Sequence, residues 1–315
     1  MNEDVSKNAR FRVSLTIASL ALIVTLAVGA TLFSSASTYE APIHAPKVFP
    51  PSPNGCWLYF ARTAAWKRTT CADSNATRSF STTKTLNCDS SSGPCQFGEY
   101  GTNDPAAANI FGISSSGISP TTPPSTTYES GSGAAFWIGV QAESGYPLIQ
   151  SGISYGNYQT SSTPAMWVEF VGNFNWNGNN CNPQYGFSCG AYDAVSVGDV
   201  IQPFEYSSQS CNTCSGYWYA TAYDETTGVD LVISISTSVV GEGGFYNGLI
   251  IFEGFGLTGT SMLPSSPVTM NYVQVYSVDG FAQALYNPQV VCNQCGSGAI
   301  TMTLSYSSQN AQWSW

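Results

Sequence analysis

An all-β sandwich of two antiparallel sheets is the fold this 315-residue sequence predicts. Three observations point to it. From Ala134 onward the chain divides into short runs rich in β-branched and aromatic residues, turn signals separate the runs at fairly even spacing, and no amphipathic helical period occurs after residue 34. The predicted strands are 135–140, 166–171, 217–223, 229–235, 249–255, 268–275 and 299–306, with Asp224-Glu225-Thr226-Thr227-Gly228 as a hairpin turn.

The N-terminal elements are of a different kind. Residues 13–33 form an uncharged, mostly apolar run behind Lys7, Arg10 and Arg12. About 20 apolar residues suffice to cross a bilayer as a helix, and basic residues on the first flank keep that flank in the cytoplasm. Residues 1–36 are therefore a cytoplasmic flank and membrane anchor, or a signal peptide cleaved near Ser34-Ser35-Ala36. Everything beyond is expected outside, on the cell surface or secreted. Residues 37–54 are a Pro-rich spacer. Residues 55–108 are a cysteine-bearing N-terminal extension (Cys56, Cys71, Cys88, Cys95), read as accessory strands or a propeptide, and 109–315 is the sandwich. A Ser/Thr/Pro/Gly stretch at 114–133 is a loop or linker, and Asn75-Ala76-Thr77 is a glycosylation sequon.

Charge excludes whole reaction classes. Only 9% of residues are charged, against roughly 25% in ordinary soluble domains. All nine Lys and Arg lie at or before Lys84, the one His is His44, and 15 carboxylates follow residue 84. Chemistry located after that point has no imidazole for a Ser-His or Cys-His nucleophile and no cation for phosphoryl transfer. Nucleic acid is excluded as a partner, because no cationic surface displaces its counterions. Unopposed carboxylates repel one another near neutral pH and are relieved by protonation below about pH 4, so an acidic habitat is expected.

Ten cysteines in an extracytoplasmic chain read first as disulfides, with Cys181 and Cys189 as one pair. Cys211-Asn-Thr-Cys214 and Cys292-Asn-Gln-Cys295 also have the form of a four-thiolate zinc site (Cys211, Cys214, Cys292, Cys295), although acid protonates thiolates. No cofactor is expected for the chemistry itself.

Carboxylates and amides remain as candidate chemistry. In 247–255 a carboxylate, Glu253, interrupts an apolar run; Leu249, Ile251, Glu253 and Phe255 alternate to one face, and Ile250, Phe252 and Gly254 to the other. Upstream stand Trp137-Ile-Gly-Val140, Ile149-Gln150-Ser-Gly-Ile153, Trp167-Val-Glu169-Phe170 and Gly198-Asp-Val-Ile201. Taken singly, Gln150 reads as a hydrogen-bonding strand residue and Glu253 as an outward-facing one.

In this order, the five segments resemble the glutamic peptidases, the eqolisin family, over roughly 109–306. The resemblance implies a jelly-roll sandwich of the concanavalin or lectin type. It puts Gln150 in the place of the catalytic glutamine and Glu253 in that of the catalytic glutamate. Glu253 would then move protons between an attacking water and the leaving amine, while the Gln150 amide holds the oxyanion. Gln141 and Ser154 stand where many members carry Asp, and Leu249 and Ile250 replace a Glu and a Trp. Trp137, Gln141, Ser154, Trp167, Glu169 and Phe255 would support the pair or line the cleft. The implied activity is acid endopeptidase on protein or peptide. The other reading is a non-catalytic, lectin-like sandwich for glycan binding or a cell-surface adhesive assembly, because one fold serves both.

Overall fold

The structure, a computed structural model, describes residues 56–60, 65–69, 79–89, 93–102, 110, 112–124, 132–142, 148–156, 167–174, 190–207, 217–236, 245–276, 282–283, 285–307 and 309–315. The chain divides into two units, Met1–Pro42 and Ile43–Trp315. The predicted anchor, the spacer, Asn75, Cys181, Cys189, Cys211 and Cys214 lie outside the described residues. Among the described residues, no helix is long and apolar enough to cross a membrane.

In chain order the strands are β1 (Cys56–Phe60), β2 (Ala65–Thr69), β3 (Ser79–Leu86), β4 (Cys95–Thr102), β5 (Gly112–Ser114), β6 (Gly117–Ile118), β7 (Gly133–Ala142), β8 (Leu148–Gly156), β9 (Trp167–Phe174) and β10 (Gly190–Ala194). They continue as β11 (Ile201–Ser207), β12 (Tyr217–Asp224), β13 (Asp230–Ser236), β14 (Phe245–Phe255), β15 (Val268–Asn271), β16 (Gln274–Tyr276), β17 (Ala282–Gln283), β18 (Tyr286–Asn293), β19 (Ile300–Ser307) and β20 (Asn310–Ser314). One sheet has seven strands in the order β10-β9-β8-β7-β14-β4-β18. The other has eleven, in the order β17-β16-β5-β11-β6-β15-β20-β19-β3, with β12 on β11 and β13 on β12; β1 and β2 form a separate pair. All of these pairings are antiparallel.

The main core lies between the two large sheets. Phe136, Ile138, Ile250 and Phe252 face it from the seven-stranded sheet, and Ile113, Val275, Met302, Leu304 and Trp313 from the other. Phe136 packs on Phe252 at 5.2 Å and on Trp313 at 5.6 Å between ring centroids. The Trp313 indole N–H donates to the Phe97 carbonyl at 3.0 Å, so a fully buried side chain spans the sheets without an unmet donor. Burying side chains of this size stabilises by about 1.5–3 kcal/mol each. β14 and β7 are apolar on both faces, because Ala135, Trp137, Leu249 and Ile251 form a second cluster on the outer side. This accounts for a continuous apolar run where a half-exposed strand would alternate.

The predicted turn at 224–228 joins β12 to β13. Asp224 accepts from the Thr226 and Thr227 amides at 2.8 and 3.2 Å, and Gly228 holds φ at 78°, a conformation open to glycine. Two expectations need correction. The stretch 268–275 is two strands: Tyr272, at φ 47°, turns the chain, leaving β15 beside β20 while β16 joins β5. The stretch 114–133 is not simply a linker, since β5 ends at Ser114, and Gly117–Ile118 forms β6 within the eleven-stranded sheet. The extension 55–108, read as accessory strands or a propeptide, contributes β4 to the interior of one sheet, between β14 and β18, and β3 to the edge of the other.

Cys88 pairs with Cys95, and Cys292 with Cys295. The second bridge follows the disulfide reading for Cys292 and Cys295, whereas Cys211 and Cys214 of the zinc alternative lie outside the described residues. Among the described residues, no cluster of His, Cys, Asp and Glu is suited to a metal ion.

Candidate functional site

Side chains alternate along β-strands, so register decides which of the predicted residues meet. On β14, Leu249, Ile251 and Glu253 face away from the main core. Their partners on β7 are Gly139, Trp137 and Ala135, whose partners on β8 are Gln150, Gly152 and Ser154. Gln150 and Glu253 therefore share the outer face of the seven-stranded sheet. Gln141 and Phe255 belong to the same face, opposite Leu148 and Gly133 respectively.

Sharing a face does not make them neighbours. The row through Gln150 contains Gly139 and Leu249, whereas the row through Glu253 contains Ala135 and Ser154. The pair is thus offset by four positions along the strands and by two strands across. At ~3.4 Å per residue and ~4.8 Å per strand, a flat sheet would set the Cα atoms about 17 Å apart. In this register the structure does not bring the expected Gln150–Glu253 dyad together. The residue facing Gln150 across the bare Gly139 is Leu249, which has no acid–base chemistry.

The amide that does meet Glu253 is Gln96, which the sequence reading missed. Gln96 on β4 pairs with Glu253 in register, and its Nε2 donates to Glu253 Oε1 at 2.8 Å. Trp137 Nε1 donates to Oε2 at 3.2 Å. The only available signal was weak: Gln96 and Tyr100 alternate with Phe97 and Glu99 in a segment assigned to an extension. Trp137 is fully buried, and its contact with the site is this hydrogen bond to Glu253. Gly152 makes room for it, because a Cβ there would lie 2.7 Å from the Trp137 Cα and closer still to the Phe136 carbonyl.

Glu253 is 8% exposed among apolar neighbours. Burial pushes its carboxyl above the ordinary range, and the Gln96 and Trp137 donors pull it back only in part. Gln96 is half-buried, Asn293 beyond it is exposed, and Tyr100 and Gln289 two face-repeats on are exposed as well. Glu253 is thus reached from the β4–β18 side. On its other side, Ser154 is enclosed with its hydroxyl unpaired, and Gln150 is 3% exposed with Oε1 unpaired.

Trp167 and Glu169 do not join this row. Their backbones pair with Tyr155 and Ile153, positions of β8 with the opposite parity to Gln150 and Ser154, and their side chains lie outside the described residues.

No protein-family model and no curated protein matches the chain. Among solved structures it is similar to scytalido-glutamic peptidase with a peptide-based transition-state analog, at 17% identity and a TM-score of 0.47 over 71% of this chain and 98% of that one. It is similar at the same identity, coverage and TM-score to SCP-B, a member of the eqolisin family of peptidases, in a complex with the tripeptide Ala-Ile-His.

Proposed function

We propose that this chain is an acid endopeptidase in which Glu253 moves the proton and Gln96, rather than Gln150, is the amide at its side. The observation that carries the reading is the 2.8 Å contact from Gln96 to a carboxyl whose proton affinity burial has raised. As a carboxylate, Glu253 takes a proton from water attacking the scissile carbonyl; as an acid, it gives that proton to the leaving amine. Gln96 has two amide hydrogens, and the one not committed to Glu253 donates to the developing oxyanion. Neither step uses an imidazole, a cation or a metal, in keeping with a sequence that has no basic residue after Lys84. Protein or peptide is the substrate. Placement at the cell surface or in secretion, and the membrane as a partner, rest on residues 13–33 alone.

One observation favours a second reading. Leu249 stands where a carboxylate would face Gln150, which suits a lectin-like sandwich that binds without cleaving. The experiment is digestion of an unfolded protein across about pH 3 to 6 by the purified chain and by Glu253→Gln. Cleavage by the first and at least a ~10²-fold loss in the second support the peptidase. An inert wild-type chain that retains glycan or peptide on an affinity column supports the binding reading.

A further inference from the structure

β11 carries a carboxyl that the proposed chemistry does not use. Glu205 pairs through its backbone with Ala220 on β12 and Ile113 on β5, and like them it faces the main core. It is fully enclosed. The hydroxyl of Ser151, from β8 in the opposite sheet, donates to Glu205 Oε1, while Oε2 has no hydrogen-bond partner. A single carboxyl thus bridges the two sheets.

Among the described residues, no cation is at hand to hold it as an anion. Lys84, the last basic residue in the chain, is exposed on β3 at the far edge of the eleven-stranded sheet. The remaining titratable groups on the surrounding strands are engaged or distant. Tyr155 on β8 donates its hydroxyl to the Met262 carbonyl at 2.9 Å, and Asp224 at the end of β12 is held by Thr226 and Thr227. Glu99 is buried on β4, three strands from β8, and the Glu169 backbone pairs with Ile153 on β8.

We propose that the Ser151–Glu205 contact is a pH latch that joins the two sheets while the carboxyl is protonated and releases them when it ionises. A protonated carboxyl is a neutral group that one hydroxyl and an apolar surround can hold. A carboxylate in the same place keeps only the Ser151 donors, which offset part of the cost of a buried charge with no counter-ion among the described residues. In agreement, burial pushes Glu205 well above the usual carboxylate range, against the partial pull of Ser151. Because the folded state holds the proton more tightly than the unfolded one, the contribution is complete below the unfolded value of about 4.3 and fades as pH rises through the folded value. The sandwich is therefore tight in acid and loosens toward neutrality.

The test is thermal unfolding of the full chain at about pH 4 and about pH 7, compared with Glu205→Gln and Glu205→Met, neither of which can ionise. The expected result is little difference from wild type in acid and a midpoint roughly 5 °C or more above wild type at neutral pH. An equal offset from wild type at both pH values overturns the latch. So does failure of both variants to fold in acid, since a neutral side chain should serve there.

Discussion

At the scale of single residues, the chemistry rests on Glu253 and on which amide touches it. Gln96 donates to the carboxyl and so stabilises its charged form. Removing that donor in Gln96→Leu raises the proton affinity of Glu253 further, and the acid limb of the rate profile should move to higher pH as maximal rate falls. Stopped assays across about pH 2 to 6 check both effects. Gln150→Leu should leave turnover within about twofold of wild type, since its row lies four positions from Glu253. If Gln150→Leu abolishes turnover while Gln96→Leu does not, the Gln96 assignment is wrong. Alternation along 247–255 made it legible that Glu253 lies on an outer, largely apolar face. Its partner was not legible, because alternation gives the face of a strand, whereas the partner depends on inter-strand register and on β4, a strand 157 positions away in sequence.

At the scale of elements, the site is held by β7, β14 and β4, which are locked from behind by the inter-sheet core. Trp313 on β20 is the clearest tie, fully buried against Phe136 and donating to the Phe97 carbonyl of β4. Trp313→Ala should cost about 3–5 kcal/mol in urea unfolding, combining lost burial, a cavity and an unpaired carbonyl. The strands after residue 134 were readable because β-branched and aromatic runs there are bounded by turn residues, as at Asp224–Gly228. The roles of β3 and β4 were not. Polar spacing in Ser79–Leu86 resembles a loop, and it is the cross-strand hydroxyl pairs Ser81–Ser305 at 3.2 Å and Thr83–Thr303 at 2.8 Å that accompany its pairing with β19. The break at Tyr272 was hidden too, since a tyrosine at positive φ carries no sequence signal.

At the scale of the whole molecule, the charge pattern and the buried carboxyls predict the same pH dependence. The sequence has a formal net charge of −10, and burial raises both Glu205 and Glu253. Each raised group stabilises the fold fully below about pH 4 and loses that contribution, at up to ~1.4 kcal/mol per pH unit, between its unfolded and folded values. Stability should therefore peak in acid and decline toward neutrality, as measured by denaturant midpoints; midpoints that rise from about pH 3 to about pH 7 contradict it. The most direct test of the central claim is the cleavage rate of a fluorogenic peptide at the wild-type optimum within about pH 3 to 6 by wild type, Glu253→Gln and Gln150→Leu, each shown folded by near-UV circular dichroism. The account predicts that only Glu253→Gln falls, by at least ~10²-fold; a Glu253→Gln chain that cleaves as fast as wild type contradicts it.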